Sequence, residues 1–135
     1  MNAQLRIITS NGKERVFDPI RKKYVLLTPE EWVRQYFIWY ILHEKKYPAS
    51  LISVEKKITI SGVPKRFDIL VFKNSMPWMI VECKSEQTEI NDSTLRQILA
   101  YHSHLQAQYL TVTNGQNMHC FDIQNNCWMD GLPIF

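Results

Sequence analysis

Three charged residues interrupt an otherwise apolar stretch of the chain: Asp68, Glu82 and Lys84. Two apolar runs, 67–72 and 78–81, lie on either side of a polar gap that contains a proline, a pattern typical of the two strands of a hairpin. Because both runs are apolar apart from Asp68, with no polar alternation, the hairpin is predicted to be central in a sheet and covered on both faces. Charged groups rarely lie beside a core unless they are paired or bind a metal, so these three are candidates for chemistry.

The pleat of such a hairpin predicts that the three charges converge. Side chains alternate across a strand, so Glu82 and Lys84 share one face. A turn centred on Ser75 would place residue 72 opposite 78, 70 opposite 80 and 68 opposite 82. Directly opposed residues in an antiparallel pair share a face and lie a few ångströms apart. Asp68 is therefore predicted to lie beside Glu82.

Two adjacent carboxylates and an amine suit a divalent ion. Close carboxylates repel each other unless a cation lies between them, and hard oxygen ligands favour Mg²⁺ or Mn²⁺. Such an ion could polarise a phosphoryl oxygen and lower the pKa of a bound water. Lys84 could orient that water or stabilise the charge that develops in the transition state. The spacing alone leaves open a metal-free network of Asp68, Glu82 and Lys84.

The wider sequence carries a set of motifs in a fixed order. Asp68, thirteen residues and then Glu82-Cys83-Lys84 match the loose D…ExK pattern of the PD-(D/E)xK nuclease superfamily. The other motifs are FDPIRKKY at 17–24, TPEEWVRQ at 28–35, VEK at 54–56, KRF at 65–67, Gln97 with Tyr101, and TNG at 113–115. Together, over nearly the whole chain, they resemble the nuclease domain at the N terminus of type I restriction enzyme R subunits. One position departs: His102 stands where the family tends to have asparagine.

The resemblance implies a restriction-endonuclease-like α/β core, with a central mixed sheet flanked by two main helices, and a set of site residues. Asp68 and Glu82, with the backbone carbonyl of Cys83, would hold Mg²⁺ or Mn²⁺. Lys84 would position the attacking water, and Gln97 on the next helix would complete the site. The accessory candidates are Glu31, which also fits a helix-capping role, Glu55, which also fits an exposed strand acid, and Tyr101.

The implied function is metal-dependent hydrolysis of phosphodiester bonds in DNA. The alternative is a non-catalytic nucleic-acid-binding or assembly module that keeps the fold. Sixteen Lys and Arg against thirteen Asp and Glu leave a net charge of +3, which is compatible with a polyanionic partner. The candidate phosphate contacts are Lys65, Arg66, Arg96, Lys56 and Lys57. No phosphate-binding loop motif for ATP is visible, so a motor or recognition function would lie on partner subunits on separate chains, and a homodimer is also left open.

The remaining pattern predicts how the chain organises this site. At 135 residues the chain is interpreted as one domain, 1–135, with residues 1–27 as an N-terminal strand arm. This arm turns at Asn11-Gly12 and then continues as an irregular segment, in which the basic triplet 21–23 is a solvated turn or, alternatively, a phosphate contact. Other predicted elements are a helix from Thr28 to before Pro48 with an apolar face of Trp32, Val33, Tyr36, Phe37, Tyr40 and Ile41, a strand at 51–60, a turn at 61–64, a helix at 93–106 and a hairpin at 109–121.

Composition predicts the compartment. Apolar residues make up 45% and charged residues 21% of the chain, as in ordinary globular proteins. No apolar run is long enough to span a membrane, and the N terminus lacks the apolar core of a signal peptide. Cys83, Cys120 and Cys127 are odd in number and lack disulfide-scaffold or metal-ligand spacing. The chain is therefore expected to be cytoplasmic, with no membrane partner.

Overall fold

A computed structural model of the protein describes residues 3–102 and 106–135. Within them the chain forms two sheets and two α-helices. The strands are β1 (Ile7–Ser10), β2 (Lys13–Asp18), β3 (Lys23–Leu26), β4 (Ile52–Ile60), β5 (Val63–Lys73), β6 (Met76–Cys83), β7 (Tyr109–Thr113), β8 (Met118–Asp122) and β9 (Cys127–Met129). The helices are α1 (Pro29–His43) and α2 (Asp92–Tyr101), and a single 3₁₀ turn, Ala49–Leu51, precedes β4.

The first sheet is antiparallel and has the order β1-β2-β3. Asn11 and Gly12 both have positive φ, +53° and +75°, as a two-residue hairpin turn requires. The prediction of an irregular segment after this hairpin is wrong, because β3 pairs with β2 from Asp18↔Lys23 to Arg15↔Leu26. The Asp18 carboxylate accepts hydrogen bonds from the N–H groups of Ile20 and Arg21 at 2.7 and 2.8 Å, and this local turn reverses the chain.

Helix α1 begins where the sequence predicts. Thr28 Oγ1 accepts a hydrogen bond from the N–H of Glu31 at 3.0 Å, and Pro29 occupies the first turn, as at many helix N termini. The buried apolar residues are Val33, Phe37, Ile38 and Ile41, whereas Trp32, which the sequence places on this face, is 37% exposed. Glu31, Arg34 and Gln35 are buried instead, so the inner surface of α1 is half polar.

The second sheet has the order β4-β5-β6-β7-β8-β9. Only the β6–β7 pair is parallel among the described strands, and α2 lies between those two strands in sequence. One core cluster packs Ile38 and Ile41 of α1 with the β5–β6 hairpin, and a second cluster packs Leu95 and Ile98 of α2 against the other face. The predicted mixed sheet between two main helices, with a central hairpin covered on both sides, is confirmed.

Helix α2 and the last strand differ from the sequence prediction. Helix α2 is capped by Asn91, whose side chain accepts from the N–H of Thr94 at 2.9 Å, and it ends at Tyr101. The predicted continuation to 106 is wrong at His102 and at 106, and residues 103–105 lie outside the described residues. The short strand β9 was not predicted. It pairs with β8 through Phe121↔Trp128.

The central hairpin also differs in its turn. Asn74 and Ser75, with φ of +54° and +63°, form a two-residue turn rather than a turn centred on Ser75 alone. Phe72 pairs with Pro77 instead of residue 78, and the register shifts between Val71 and Phe72. This shift is a β-bulge, and because of it residue 70 pairs with residue 80 as the sequence predicts. In the part of the chain that the structure describes, no helix is long and apolar enough to cross a membrane.

Candidate metal centre

Strands β5 and β6 bring Asp68 and Glu82 to one cavity. The pairs Ile69↔Val81 and Leu70↔Ile80 place the two acids at adjacent positions at the end of the paired region. The cavity has a volume of about 220 Å³, and Arg66, Phe67, Asp68, Ile80, Val81, Glu82, Tyr101 and His102 line it. The carboxylate-bearing side chains of Asp68 and Glu82 are 18% and 23% exposed, so a small ion or water can reach both.

The side chain of Asp68 is fixed from two sides. Its Oδ2 accepts a hydrogen bond from the N–H of Cys83 at 2.8 Å, and its Oδ1 accepts one from Arg34 Nη2 at 2.9 Å. The first bond ties the carboxylate to β6, and the second ties it to α1. Asp68 is therefore held in one orientation at the cavity.

Strand β5 is locally distorted at Asp68. Phe67 belongs to the core cluster under α2, whereas Ile69 belongs to the cluster under α1, although residues two apart in a regular strand share a face. On β4, Glu55 lies opposite Asp68 in the register between Val54↔Ile69 and Lys56↔Phe67, and it has a φ of +51°. This break in alternation lets Asp68 contact α1 and also line the cavity.

Glu82 in β6 and Lys84, the residue after its end, point to the same side, as the pleat predicts. Lys84 Nζ is 3.0 Å from Glu82 Oε2. Burial alone would raise the pKa of Glu82, but hydrogen bonds from His102 and Lys84 outweigh it and hold that pKa below its usual value. The intervening Cys83 points into the core, where burial raises the pKa of its thiol well above the ordinary value. Cys83 thus offers the site its backbone and not a thiolate.

His102 is a site residue that the sequence did not predict. Its ring is 4% exposed, its Nε2 lies 3.4 Å from Glu82 Oε1, and it packs 5.6 Å from the Phe67 ring. Its Nδ1 is buried without a hydrogen-bond partner among the residues described. The one sequence feature that could have indicated His102 is that a histidine stands where the family tends to have asparagine. Because the sequence predicted a helix to residue 106, His102 was expected to lie within that helix. Helix α2 instead ends at Tyr101, and His102 is its C-cap.

The other predicted site residues on α2 lie in different places relative to the cavity. Tyr101 lines the cavity. Gln97 is one helical turn earlier on the same side of α2, is exposed, and makes no contact with Asp68 or Glu82 among the contacts of the described residues. Arg96 lines a different depression with Leu99 and Trp128.

The predicted phosphate contacts concentrate on the β4–β5 hairpin. Lys57 and Arg66 are directly opposed and both exposed, and Lys56 is exposed one residue earlier. Lys65 Nζ donates to the carbonyl of Tyr101 at 3.1 Å and lies 4.3 Å from the centre of the Tyr101 ring. Four of the five basic candidates therefore share one hairpin beside the cavity, and Arg96 lies elsewhere.

A set of charged and polar side chains, here called the arginine network, joins the first sheet, α1 and β4 to Asp68, and most of its members are buried, whereas Glu55 is 37% exposed. Arg21 Nε is 2.6 Å from Asp18 Oδ2, and Arg21 Nη2 is 2.9 Å from both oxygens of Glu31. Arg34 Nη1 is 2.6 Å from Glu31 Oε1, and Glu55 lies 3.4 Å from both guanidinium groups. The members are Asp18, Arg21, Glu31, Arg34, Gln35, Glu55 and Asp68.

The arginine network corrects two sequence interpretations. Arg21 was interpreted as part of a solvated turn or, alternatively, as a phosphate contact, but its side chain is only 15% exposed and pairs with Asp18 and Glu31. Glu31 was assigned to a capping box, but its carboxylate accepts hydrogen bonds from Arg21, Arg34 and Gln35. Thr28 still caps the helix through the N–H of Glu31. Both accessory acids, Glu31 and Glu55, therefore lie in one charged cluster with Asp68.

Asp18 gives this cluster a measurable pH dependence. Burial alone would raise its pKa, but bonds from the Arg21 backbone, the Arg21 guanidinium and Gln35 outweigh it and lower the pKa below the ordinary value of 3.8. A carboxyl whose pKa is lowered by folding stabilises the protein above its unfolded pKa, and this stabilisation is lost as the pH falls below it. We expect the free energy of unfolding of the wild type to drop as the pH falls below about 4.

Urea unfolding at a series of pH values checks this prediction. The variant Asp18→Asn should be less stable than the wild type at pH 7, and the difference should shrink as the pH falls. The exposed Asp130 supplies the matched control, Asp130→Asn, whose stability should follow the wild-type curve. An Asp18→Asn curve parallel to that of the wild type down to low pH would contradict the assignment.

The residues at the cavity fit a hard divalent ion. Asp68 and Glu82 supply two carboxylates that both reach the same partly exposed space. Mg²⁺ is usually bound by one or two carboxylates and keeps several waters, so this donor set is sufficient. No group of three or more His, Cys, Asp and Glu side chains among the described residues is arranged to hold a metal, and such a fully protein-made site is not what Mg²⁺ requires.

The mixed six-stranded sheet with its parallel β6–β7 pair and two helices is an α/β fold compatible with the restriction-endonuclease-like class. The sequence itself matches the model of the family described as the type I restriction enzyme R protein N terminus, over residues 29–131. Since the match covers most of the 135 residues, the chain belongs to this family. A comparison with individual curated proteins gave no significant match.

Proposed function

We propose that this domain is a nuclease that uses Mg²⁺ or Mn²⁺ to hydrolyse phosphodiester bonds in DNA. The observation that carries the proposal is the shared cavity of Asp68 and Glu82, with Lys84 Nζ 3.0 Å from Glu82. Membership of the restriction-enzyme family supports the choice of DNA as the substrate. The combination of two hard carboxylates and an amine suits phosphodiester hydrolysis better than acyl transfer, which needs an activated nucleophile.

Each residue would have a distinct role. Asp68, Glu82 and the carbonyl of Cys83 would hold the ion, which when bound polarises the phosphoryl oxygen and lowers the pKa of its water. Lys84 would orient the attacking water and place a positive charge beside the transition state. Gln97, on the same side of α2 as Tyr101, would contact the nucleic acid above the cavity rather than the two carboxylates.

The DNA backbone would lie along the β4–β5 hairpin. Lys56, Lys57, Lys65 and Arg66 lie there, and Arg66 itself lines the cavity. Positive side chains of this kind position a duplex through its phosphates and carry no sequence information. We therefore propose that partner subunits or a second copy of the chain recognise the DNA sequence. We also propose that the domain acts in the cytoplasm, where its three free cysteines stay reduced.

Nicking of supercoiled plasmid tests this proposal. We expect cleavage by the wild type in Mg²⁺ or Mn²⁺, none in EDTA, and at least a 10²-fold lower rate for Glu82→Gln, because the ion loses one of two carboxylates. The variant Glu86→Gln, at an exposed position four residues along the chain, is the matched control and should cleave like the wild type. Equal rates for the wild type and Glu82→Gln would indicate a contaminating nuclease.

A second candidate function is a DNA-binding or assembly module without catalysis. One observation favours it: both carboxylates already have cationic partners, Arg34 on Asp68 and Lys84 on Glu82. A module of this kind would bind DNA with an affinity that falls steeply with salt, and Mg²⁺ would produce no cleavage. Filter binding at several salt concentrations, run beside the plasmid assay, separates the two functions.

A further inference from the structure

Arg34 contacts four carboxylates at once, of which Glu30 is the most distant, with its Oε1 3.8 Å from Arg34 Nη2. Its Nη2 lies 2.9 Å from Asp68 Oδ1 and 3.4 Å from Glu55 Oε1, and its Nη1 lies 2.6 Å from Glu31 Oε1. Its side chain is only 7% exposed, so solvent screens these contacts little. A planar guanidinium can bridge several oxygens in fixed directions, which a lysine ammonium does not do.

The acceptor sites of Glu31 are full. Its Oε1 accepts from Arg21 and Arg34, and its Oε2 accepts from Arg21 and Gln35. A carboxylate has about four lone-pair sites, so Glu31 has none left for a metal ion. The oxygens of Asp68 and Glu82 differ, because each makes one described contact. One lone pair on each oxygen therefore remains available.

The ion pairs of Glu31 give the same answer. Glu31 is 6% exposed and pairs with the guanidinium groups of Arg21 and Arg34 at 2.9 and 2.6 Å. A divalent ion bound to Glu31 would have to displace one of these guanidinium groups, and that leaves a buried charge without a partner.

We propose that Arg34 is a positioning residue that holds Asp68 for metal binding and, together with Arg21, keeps Glu31 from binding a second ion, so that the site takes one divalent ion. This inference rests on the proposed nuclease function and adds its metal stoichiometry. Arg34 itself touches neither substrate nor ion in this scheme. It acts through the orientation of Asp68.

Mn²⁺ binding by the whole chain, followed by calorimetry and by electron paramagnetic resonance of the free ion, tests the stoichiometry without any cleavage assay. We expect one tightly bound Mn²⁺ per chain in the wild type. Two tightly bound ions would overturn the one-ion inference and leave the nuclease proposal in place. No bound ion would overturn both.

Arg34→Gln should separate metal binding from catalysis. Without the guanidinium, Glu31 regains an acceptor site, and Glu55 and Asp68 lose a positive neighbour, so the number of bound Mn²⁺ should rise to two. Cleavage should fall by roughly 10²-fold, because Asp68 loses its anchor. A residue that only stabilised the fold would lower activity and metal binding together. One bound ion and wild-type cleavage in Arg34→Gln would overturn the inference.

Two further variants keep the test decisive if Arg34→Gln does not fold. Arg34→Lys keeps the charge but cannot bridge Asp68 and Glu31 together, so it should bind one Mn²⁺ and cleave more slowly than the wild type. Arg96→Gln, at an exposed arginine of α2, should leave the ion count at one. Two ions in Arg34→Lys, or wild-type cleavage by it, would contradict the positioning role.

Discussion

Replacing Lys84 with alanine is expected to lower DNA cleavage by about 10²–10³-fold, the size of effect seen when one group that stabilises transition-state charge is removed. Lys84 Nζ lies 3.0 Å from Glu82 Oε2 and is not a metal ligand in the proposed mechanism. The affinity for Mn²⁺ should therefore be no weaker than in the wild type. Single-turnover cleavage of a labelled duplex measures the first quantity, and calorimetric titration with Mn²⁺ measures the second.

The control for this prediction is a lysine remote from the cavity. Lys13 is exposed on β2 of the first sheet, and Lys13→Ala should cleave at the wild-type rate. A loss of Mn²⁺ binding in Lys84→Ala would mean that the lysine builds the metal site rather than serving the reaction. Unchanged cleavage in Lys84→Ala would remove Lys84 from the mechanism.

Asp68→Asn is expected to lose both tight Mn²⁺ binding and cleavage. Asp68 accepts from the Cys83 N–H with one oxygen and from Arg34 with the other. Asparagine has a single acceptor oxygen, so it can replace only one of these two contacts. Its amide N–H₂ would then face a donor. The buried Arg34 would lose one of its carboxylate partners, and we expect the free energy of unfolding to fall by about 1–3 kcal/mol.

Two measurements check the Asp68 prediction separately. Mn²⁺ titration reports the ion, and urea unfolding at pH 7 reports the stability. The exposed Asp130 again offers the control Asp130→Asn, which should match the wild type in both. An Asp68→Asn protein with wild-type Mn²⁺ affinity would show that the ion binds elsewhere in the chain.

The elements around the site were predictable because their signals are local. The cap at Thr28, the Asn11-Gly12 turn and the apolar runs of the central hairpin each depend on a few consecutive residues. The turn itself was misplaced by the bulge between Val71 and Phe72. The pairing of residue 70 with residue 80 was still right, because the buried faces of the two strands fix the register in the core.

The arginine network was not predictable, because its contacts join residues far apart in the sequence. Arg34 and Asp68 are separated by 34 positions, and so are Arg21 and Glu55. No periodicity marks such pairs. The position of Glu31, three residues after Thr28, fits a capping box. This local signal favoured a capping role for its carboxylate over contacts with Arg21 and Arg34. His102 was missed for a related reason, because helical periodicity does not show where a helix ends.

The first sheet has a consequence for the boundaries of the functional unit. Asp18 and Arg21 precede the segment 29–131 that the family shares, yet Arg21 binds both oxygens of Glu31. A polypeptide trimmed to residues 29–131 would keep every proposed ion ligand but would lose Arg21, the cation that pairs with Glu31 of α1. If the charge balance around Glu31 defines the proposed nuclease unit, that unit begins upstream of Asp18 and not at residue 29.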